Sequence, residues 1–248
     1  MSEGYAPDDF AEPLRKIEAS QLDYFVEGGQ AVNIWAAVYS EAAPGVIDYA
    51  PFTSKDCDLW VGQELLRQFE QILPGGKLIR ASDPSQGQVG IYRTNDTPPR
   101  IIDLFDGVYG LTRDEVERAR KRSLVVGGIR LIDPIFLFKA KCHNLANLPD
   151  QEERNDAKHL RILMEILPAH FEALLAQALL HDPAISDRKL LNEIKLLLSF
   201  QRDQWVRRAM EKESLIIDAA LPIDRLRHCG LPKTEPFVKN QWPPGDGS

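Results

Sequence analysis

The chain has 248 residues, 44% of them hydrophobic, and a formal charge of −7. That is enough apolar material for a substantial core in one large or two modest domains, two being preferred, and the acidic balance argues against an extended nucleic-acid-binding surface, though not against a local basic patch. No apolar run approaches the ~20 residues of a membrane helix, the first residues lack a signal peptide's basic and apolar regions, and Cys57, Cys142 and Cys229 are too scattered for a disulfide framework or a zinc site, so a cytoplasmic protein with reduced thiols is expected.

In chain order, residues 8–20 predict a helix, with Asp8 and Asp9 at its start and Phe10, Leu14 and Ile17 on one stripe. Tyr24, Phe25 and Val26 are strand formers, Gly28 and Gly29 break them, and from Gln30 to Tyr39 the residues Ala31, Ile34, Trp35 and Val38 recur at helical spacing. Residues 43–51 read as a loop. A second strand then holds Asp56 and Asp58 at its middle. Because strand side chains alternate, these carboxylates share one face, while Cys57 and Leu59 point into the core.

Gly62 to Leu73 predict an amphipathic helix that Pro74, Gly75 and Gly76 end, and residues 77–80, 89–93 and 101–104 predict three short strands. Thr112 to Arg122 read as a helix whose acidic and basic residues balance along an exposed face, and residues 123–132 as a hairpin about Gly127 and Gly128. From Asp133 the pattern is helical. Pro134 suits a first turn, Ile135, Phe138, Cys142 and Leu145 form a stripe, and residues 169–180 and 187–215 continue as amphipathic helices. His143 and His159 read as surface or capping residues. The division expected is an α/β domain over 1–132, a helical domain over 133–221 and an extended tail over 222–248, where prolines accumulate.

Two carboxylates on one strand face repel each other and call for a cation. Mg²⁺ suits them, because it takes one or two carboxylates and completes its octahedron with water and phosphate oxygens. The glycine turn supplies the complement: backbone N–H groups at a helix N-terminus bind phosphate where no Cβ intervenes, which makes Gly28, Gly29 and the neighbouring Gln30 candidate nucleotide-binding residues. Alone, a Gly-Gly turn is most often only a turn and D-x-D only solvated surface. Their order, strand, Gly-Gly, helix, then a strand with D-x-D, points to nucleotide chemistry.

On Gly28, Gly29, Asp56 and Asp58 the chain resembles the nucleotidyltransferase superfamily with the DNA polymerase β-like fold. The resemblance implies an α/β (α+β) domain with a mixed sheet followed by a helical bundle, and a third carboxylate on a neighbouring strand. Asp103, in the middle of residues 100–106, matches that position better than Asp106 at the strand exit. In the helical half, Pro134, Leu137, Lys141 and Leu145, then Arg154, Asp156 and Leu160, are similar to motifs of bacterial AbiEii-type toxins, with Asn155 where that pattern has lysine and His159 where it has the second aspartate. The order G-G-x-A before a D-x-D strand is shared with aminoglycoside nucleotidyltransferases.

What the resemblance implies is transfer of an NMP from an NTP to an acceptor hydroxyl with release of pyrophosphate. Two Mg²⁺ ions would be held by Asp56, Asp58 and Asp103, with Lys141, or failing that Lys139, on the triphosphate. The acceptor is a tRNA, a protein or a small molecule such as an aminoglycoside, whose positive charge suits the chain's acidity somewhat better. A toxin-like member would have a cognate antitoxin as partner. The alternative is a non-catalytic nucleotide-sensing or partner-binding module of the same fold; the presence of all three carboxylates favours the enzyme.

Overall fold

A computed structural model describes residues 4–82, 87–149, 154–180 and 185–243. Helix α1 (Pro7–Ala19) opens on a proline, whose missing N–H is not needed in a first turn, and buries Phe10, Leu14 and Ile17. Strand β1 (Tyr24–Glu27) runs directly into helix α2 (Gly28–Tyr39), so both glycines belong to the helix and the turn between them and the strand is shorter than the sequence pattern implies. The excursion read as a loop contains a 3-10 helix, Pro44–Tyr49. Strand β2 (Cys57–Val61) follows, and Asp56 lies one residue ahead of it rather than at its middle.

Helix α3 (Gln63–Ile72) leads to strands β3 (Gly76–Arg80), β4 (Gln88–Thr94) and β5 (Ile101–Phe105). Helix α4 (Arg113–Arg122) is capped by Thr112, whose hydroxyl accepts from the Glu115 N–H while the Glu115 carboxylate accepts from the Thr112 N–H. A hairpin of β6 (Leu124–Val126) and β7 (Ile129–Leu131) follows.

These strands form one seven-stranded mixed sheet in the order β3-β4-β5-β2-β1-β7-β6. Strand β5 lies between β4, to which it is antiparallel, and β2, to which it is parallel. One face is apolar: Leu59, Ile102, Leu104 and Tyr92 are buried, and α3 lies against it through Phe69, whose ring is 5.2 Å from that of Tyr92. The alternation leaves Asp58 and Asp103 on the other face, half-buried.

Helix α5 (Pro134–Asn147) begins at Asp133, whose carboxylate accepts from the Ile135 N–H, and packs against α2 and against helix α6 (Asp156–Leu179). The α6 segment is a single helix of 24 residues, not two pieces parted near Pro168. A proline inside a helix costs roughly 3 kcal/mol, and burial of Leu160, Leu163 and Leu167 before it and Phe171 and Leu175 after it offsets that cost. Read as one helix, α6 holds an 18-residue window of mean hydropathy 1.4, long and apolar enough by composition to cross a membrane, which the broken pattern concealed. Here it packs against α2, α5 and helix α7 (Asp187–Ser199).

Helix α8 (Gln204–Lys212) packs on α5. The segment from Pro222, expected to be extended, carries helices α9 (Ile223–Arg227) and α10 (Thr234–Gln241). Buried Leu226, Leu231 and Val238 anchor them, and Asp187 accepts from the Thr234 N–H at 3.0 Å and hydroxyl at 2.6 Å. Helices this short hold through such anchors, and they leave too brief a period to read among prolines.

Candidate metal and phosphate site

The sheet register builds the site. Glu27 of β1 is opposite Asp58 of β2, and Asp58 is opposite Asp103 of β5, so three adjacent strands carry carboxylates in one row. In-register neighbours project from the same face. Asp56, two residues before Asp58, joins them. One carboxylate oxygen from each of Asp56, Asp58 and Asp103 lies within 4.8 Å of the others. The expected trio is therefore brought together.

Electrostatics follow from that crowding. Burial, then the neighbouring charge of Asp56, drives the Asp58 carboxyl well above the usual range, and Lys141 opposes the shift. Burial and the Asp56 charge push Asp103 up to about 6, offset by the Gln88 amide that donates to Asp103 Oδ1 at 2.9 Å. Glu27 is raised in the same way, first by burial and then by Asp58. A divalent cation is the natural counter-charge. The donor set is all oxygen, the choice of a hard ion, and around an octahedral Mg²⁺ with ligands about 2.1 Å away neighbouring oxygens stand about 3 Å apart and opposite ones about 4.2 Å, so the three carboxylates would draw together to share one ion. The residues present fit the ion.

Gly28 sits directly over this cluster. Its φ is +64°, a conformation open to glycine at little cost, and a Cβ there would lie 1.8 Å from Asp58 Oδ2. The start of α2 and the Asp58 carboxylate are thus in contact because no side chain separates them. Gly29 is closed in by the Ser54 hydroxyl and His159, 2.8 and 3.1 Å from where its Cβ would stand. The N-cap residue of α2, Glu27, makes no side-chain capping bond.

The other expected residues divide. Lys141 is buried on the α5 side of the cluster, its ammonium 3.1 Å from Asp156 Oδ1, and Arg154 Nε holds the other oxygen of Asp156 at 2.8 Å. Lys139, two residues earlier on α5, is held elsewhere: Glu115 of α4 accepts from it at 2.8 and 2.9 Å, and Asp203 lies 3.5 Å away. A half-turn of helix separates the two lysines, so Lys139 ties α4 to α5 and does not join Lys141. Gln30 is buried, and its amide nitrogen donates to the Tyr5 carbonyl at 2.9 Å, which fastens the N-terminal segment, while its Oε1 has no partner among the described residues.

Sequence reasoning passed over Glu27, Gln88 and His159. Glu27 was legible in principle, being the last strand residue before the glycines and two past Phe25 on the same face. Gln88 depends on the β4–β5 register and its irregularity between Gln88 and Gly90, which no local pattern encodes. His159, expected to be a surface or capping residue, is 5% exposed; α6 turns its first buried face toward α2.

No family model matches the sequence, and no curated protein matches it. Among solved structures the chain is similar to an antigenic nucleotidyltransferase-like protein from Paracoccidioides brasiliensis, with a TM-score of 0.43 and 12% identity over 88% of this chain and 99% of that one. At that score and identity the likeness carries no functional weight, and the reading below stands on the residues themselves.

Proposed function

We propose that this chain is a metal-dependent nucleotidyltransferase of polymerase β-like architecture, moving an NMP from an NTP to an acceptor hydroxyl. The observation that carries the reading is the stack of Gly28 on Asp58 within an oxygen cluster of Asp56, Asp58 and Asp103. It sets an uncapped helix N-terminus, suited to phosphate, against a carboxylate set suited to Mg²⁺.

Divalent ions bound there would neutralise the triphosphate and stabilise the attacking and leaving oxygens of an in-line displacement. The chain's own groups divide the remaining work. The Gly28 and Gly29 N–H groups hold phosphate oxygens close to the carboxylates, an approach that any side chain at position 28 would block. Asp103, at the edge of the cluster and raised to about 6, accepts the proton of the acceptor hydroxyl near neutral pH, where a base of that strength is deprotonated. Lys141, anchored by Asp156, supplies positive charge as negative charge collects on the departing pyrophosphate.

Incubation with Mg²⁺ and each α-labelled NTP, with tRNA, protein and small-molecule pools kept separate, tests the activity and names the acceptor. Label appearing on one pool, with pyrophosphate released and both lost in Asp56→Asn, is the expected result. Nucleotide bound with no label transferred to any pool replaces the enzyme with the non-catalytic binding module.

A further inference from the structure

His159 lies in the first turns of α6 where α6 crosses the start of α2. It is 95% buried by its 5% exposure, and its Nδ1 has no hydrogen-bond partner among the described residues. Buried polar nitrogens are nearly always partnered, so an orphan of this kind calls for a group that completes it. The ring's position indicates which group. Its Cε1, the carbon bonded to both ring nitrogens, stands 3.1 Å from the point where a Gly29 Cβ would be. The imidazole therefore forms a wall of the Gly28-Gly29 turn beside the Ser54 hydroxyl. Burial first, then the positive charge of Lys141, hold the ring neutral, so it keeps one N–H donor and one acceptor nitrogen.

From this geometry we infer that His159 is a phosphate-contacting residue of the nucleotide site, donating a ring N–H to a non-bridging oxygen of the triphosphate seated at the start of α2. The inference deepens the nucleotidyltransferase reading and rests on it. Three features make the place a built anion site. The start of α2 offers backbone N–H groups with no side-chain cap, Lys141 brings a buried positive charge, and His159 contributes a buried ring nitrogen with no partner among the described residues. A carboxylate at 159 would bring a negative charge to the same spot. The neutral imidazole does not.

The test measures binding by calorimetry, using Mg·ATP and, separately, Mg²⁺ with inorganic tripolyphosphate, on the full chain and on His159→Phe and His159→Gln. Thermal unfolding of each variant is recorded alongside. A hydrogen bond to a charged group is typically worth a factor of about 10 or more in affinity. His159→Phe is expected to weaken both probes by at least that factor, and His159→Gln, which keeps an N–H donor, to stay within a few-fold of the parent. Equal affinities for the parent and His159→Phe overturn the inference, as does equal loss in both variants, which marks a packing role. On the unmodified protein, the ring nitrogen resonances of His159 are expected to shift when Mg²⁺ with tripolyphosphate is added, and an unmoved signal at saturation overturns the inference even if both variants fold poorly. Failure of the parent itself to bind Mg·ATP or tripolyphosphate removes the nucleotide reading, an outcome distinct from binding that ignores His159.

Discussion

Replacing Gly28 with alanine probes the contact on which the site depends. Two costs add. An L-residue held at φ +64° loses roughly 1–2 kcal/mol relative to glycine. The new methyl would also fall 1.8 Å from Asp58 Oδ2, 2.7 Å from its Cγ and 2.9 Å from its Cβ, and overpacking of that kind costs roughly 1–3 kcal/mol. Gly28→Ala is therefore expected to destabilise by about 2–5 kcal/mol in urea unfolding. The second share belongs to the Asp58 carboxylate and can be isolated by a double-mutant cycle. In an Asp58→Ala background the Oδ2 and Cγ contacts are gone, so the glycine substitution should cost about 1–3 kcal/mol less than in the parent, most of the remainder being the backbone term. Mn²⁺ binding, followed by electron paramagnetic resonance, should fall in Gly28→Ala even under conditions where the protein is fully folded, because the methyl displaces a ligand oxygen. A cost below about 0.5 kcal/mol, or a cycle with no coupling to Asp58, refutes the claim that the helix start and the carboxylate are in contact.

Asp56→Asn and Asp58→Asn should each abolish transfer while leaving the metal-free protein at least as stable as the parent, since each removes like-charge repulsion; thermal melts in chelator read this out. Asp103→Asn is expected to lower kcat by about 10²- to 10⁴-fold with little change in nucleotide affinity, the signature of a lost general base. Because the folded-state value of Asp103 is raised to about 6 from about 3.9 when unfolded, its stabilising contribution is whole below pH ~4 and lost as pH rises through 6. Metal-free stability should thus fall across that window, and saturating Mg²⁺ should flatten the fall in pH-dependent urea titrations. Lys139→Met should destabilise by roughly 1–3 kcal/mol, because Glu115 keeps Thr112 and the more distant Arg118 but loses its buried ammonium, yet leave Mg·ATP affinity intact. A matching loss of affinity would return Lys139 to the nucleotide site.

The candidate site was legible wherever one periodicity decided it. Strand alternation pointed Asp58 and Asp56 to one site although Asp56 lies just ahead of β2, and the pattern Ile101, Ile102, Asp103, Leu104 sorted itself into core and cleft as the burial of Ile102 and Leu104 requires. The strands and helices of residues 63–132 were readable for the same reason. Choices that depend on distant partners were not. The two lysines of α5 have the same chemistry, and only Glu115 and Asp156, 24 and 15 residues away, separate their roles. His159 looked like a surface or capping residue because the α2–α6 contact that buries it joins segments 130 residues apart. The continuity of α6 through Pro168 and the anchoring of α10 by Asp187 are likewise tertiary outcomes that override local breakers.

The place of β5 in the sheet has a consequence for how the protein is made. It is the third strand to follow β2 in the chain, yet it is inserted between β2 and β4. Until residues 101–105 leave the ribosome, β2 presents an unpaired edge, and β3 and β4 form a hairpin with no strand joining them to β1 and β2. A parallel pairing across that much chain carries a high loop-closure cost and forms slowly. Any stage at which β1 and β2 pair before β5 docks exposes the edge of Cys57 to Val61, and such edges recruit other chains. A translational pause or a truncation between Arg80 and Arg100 would prolong that stage. The strand that completes the carboxylate cluster is also the one that ends this exposure, so assembly of the site and escape from aggregation occur in the same folding step.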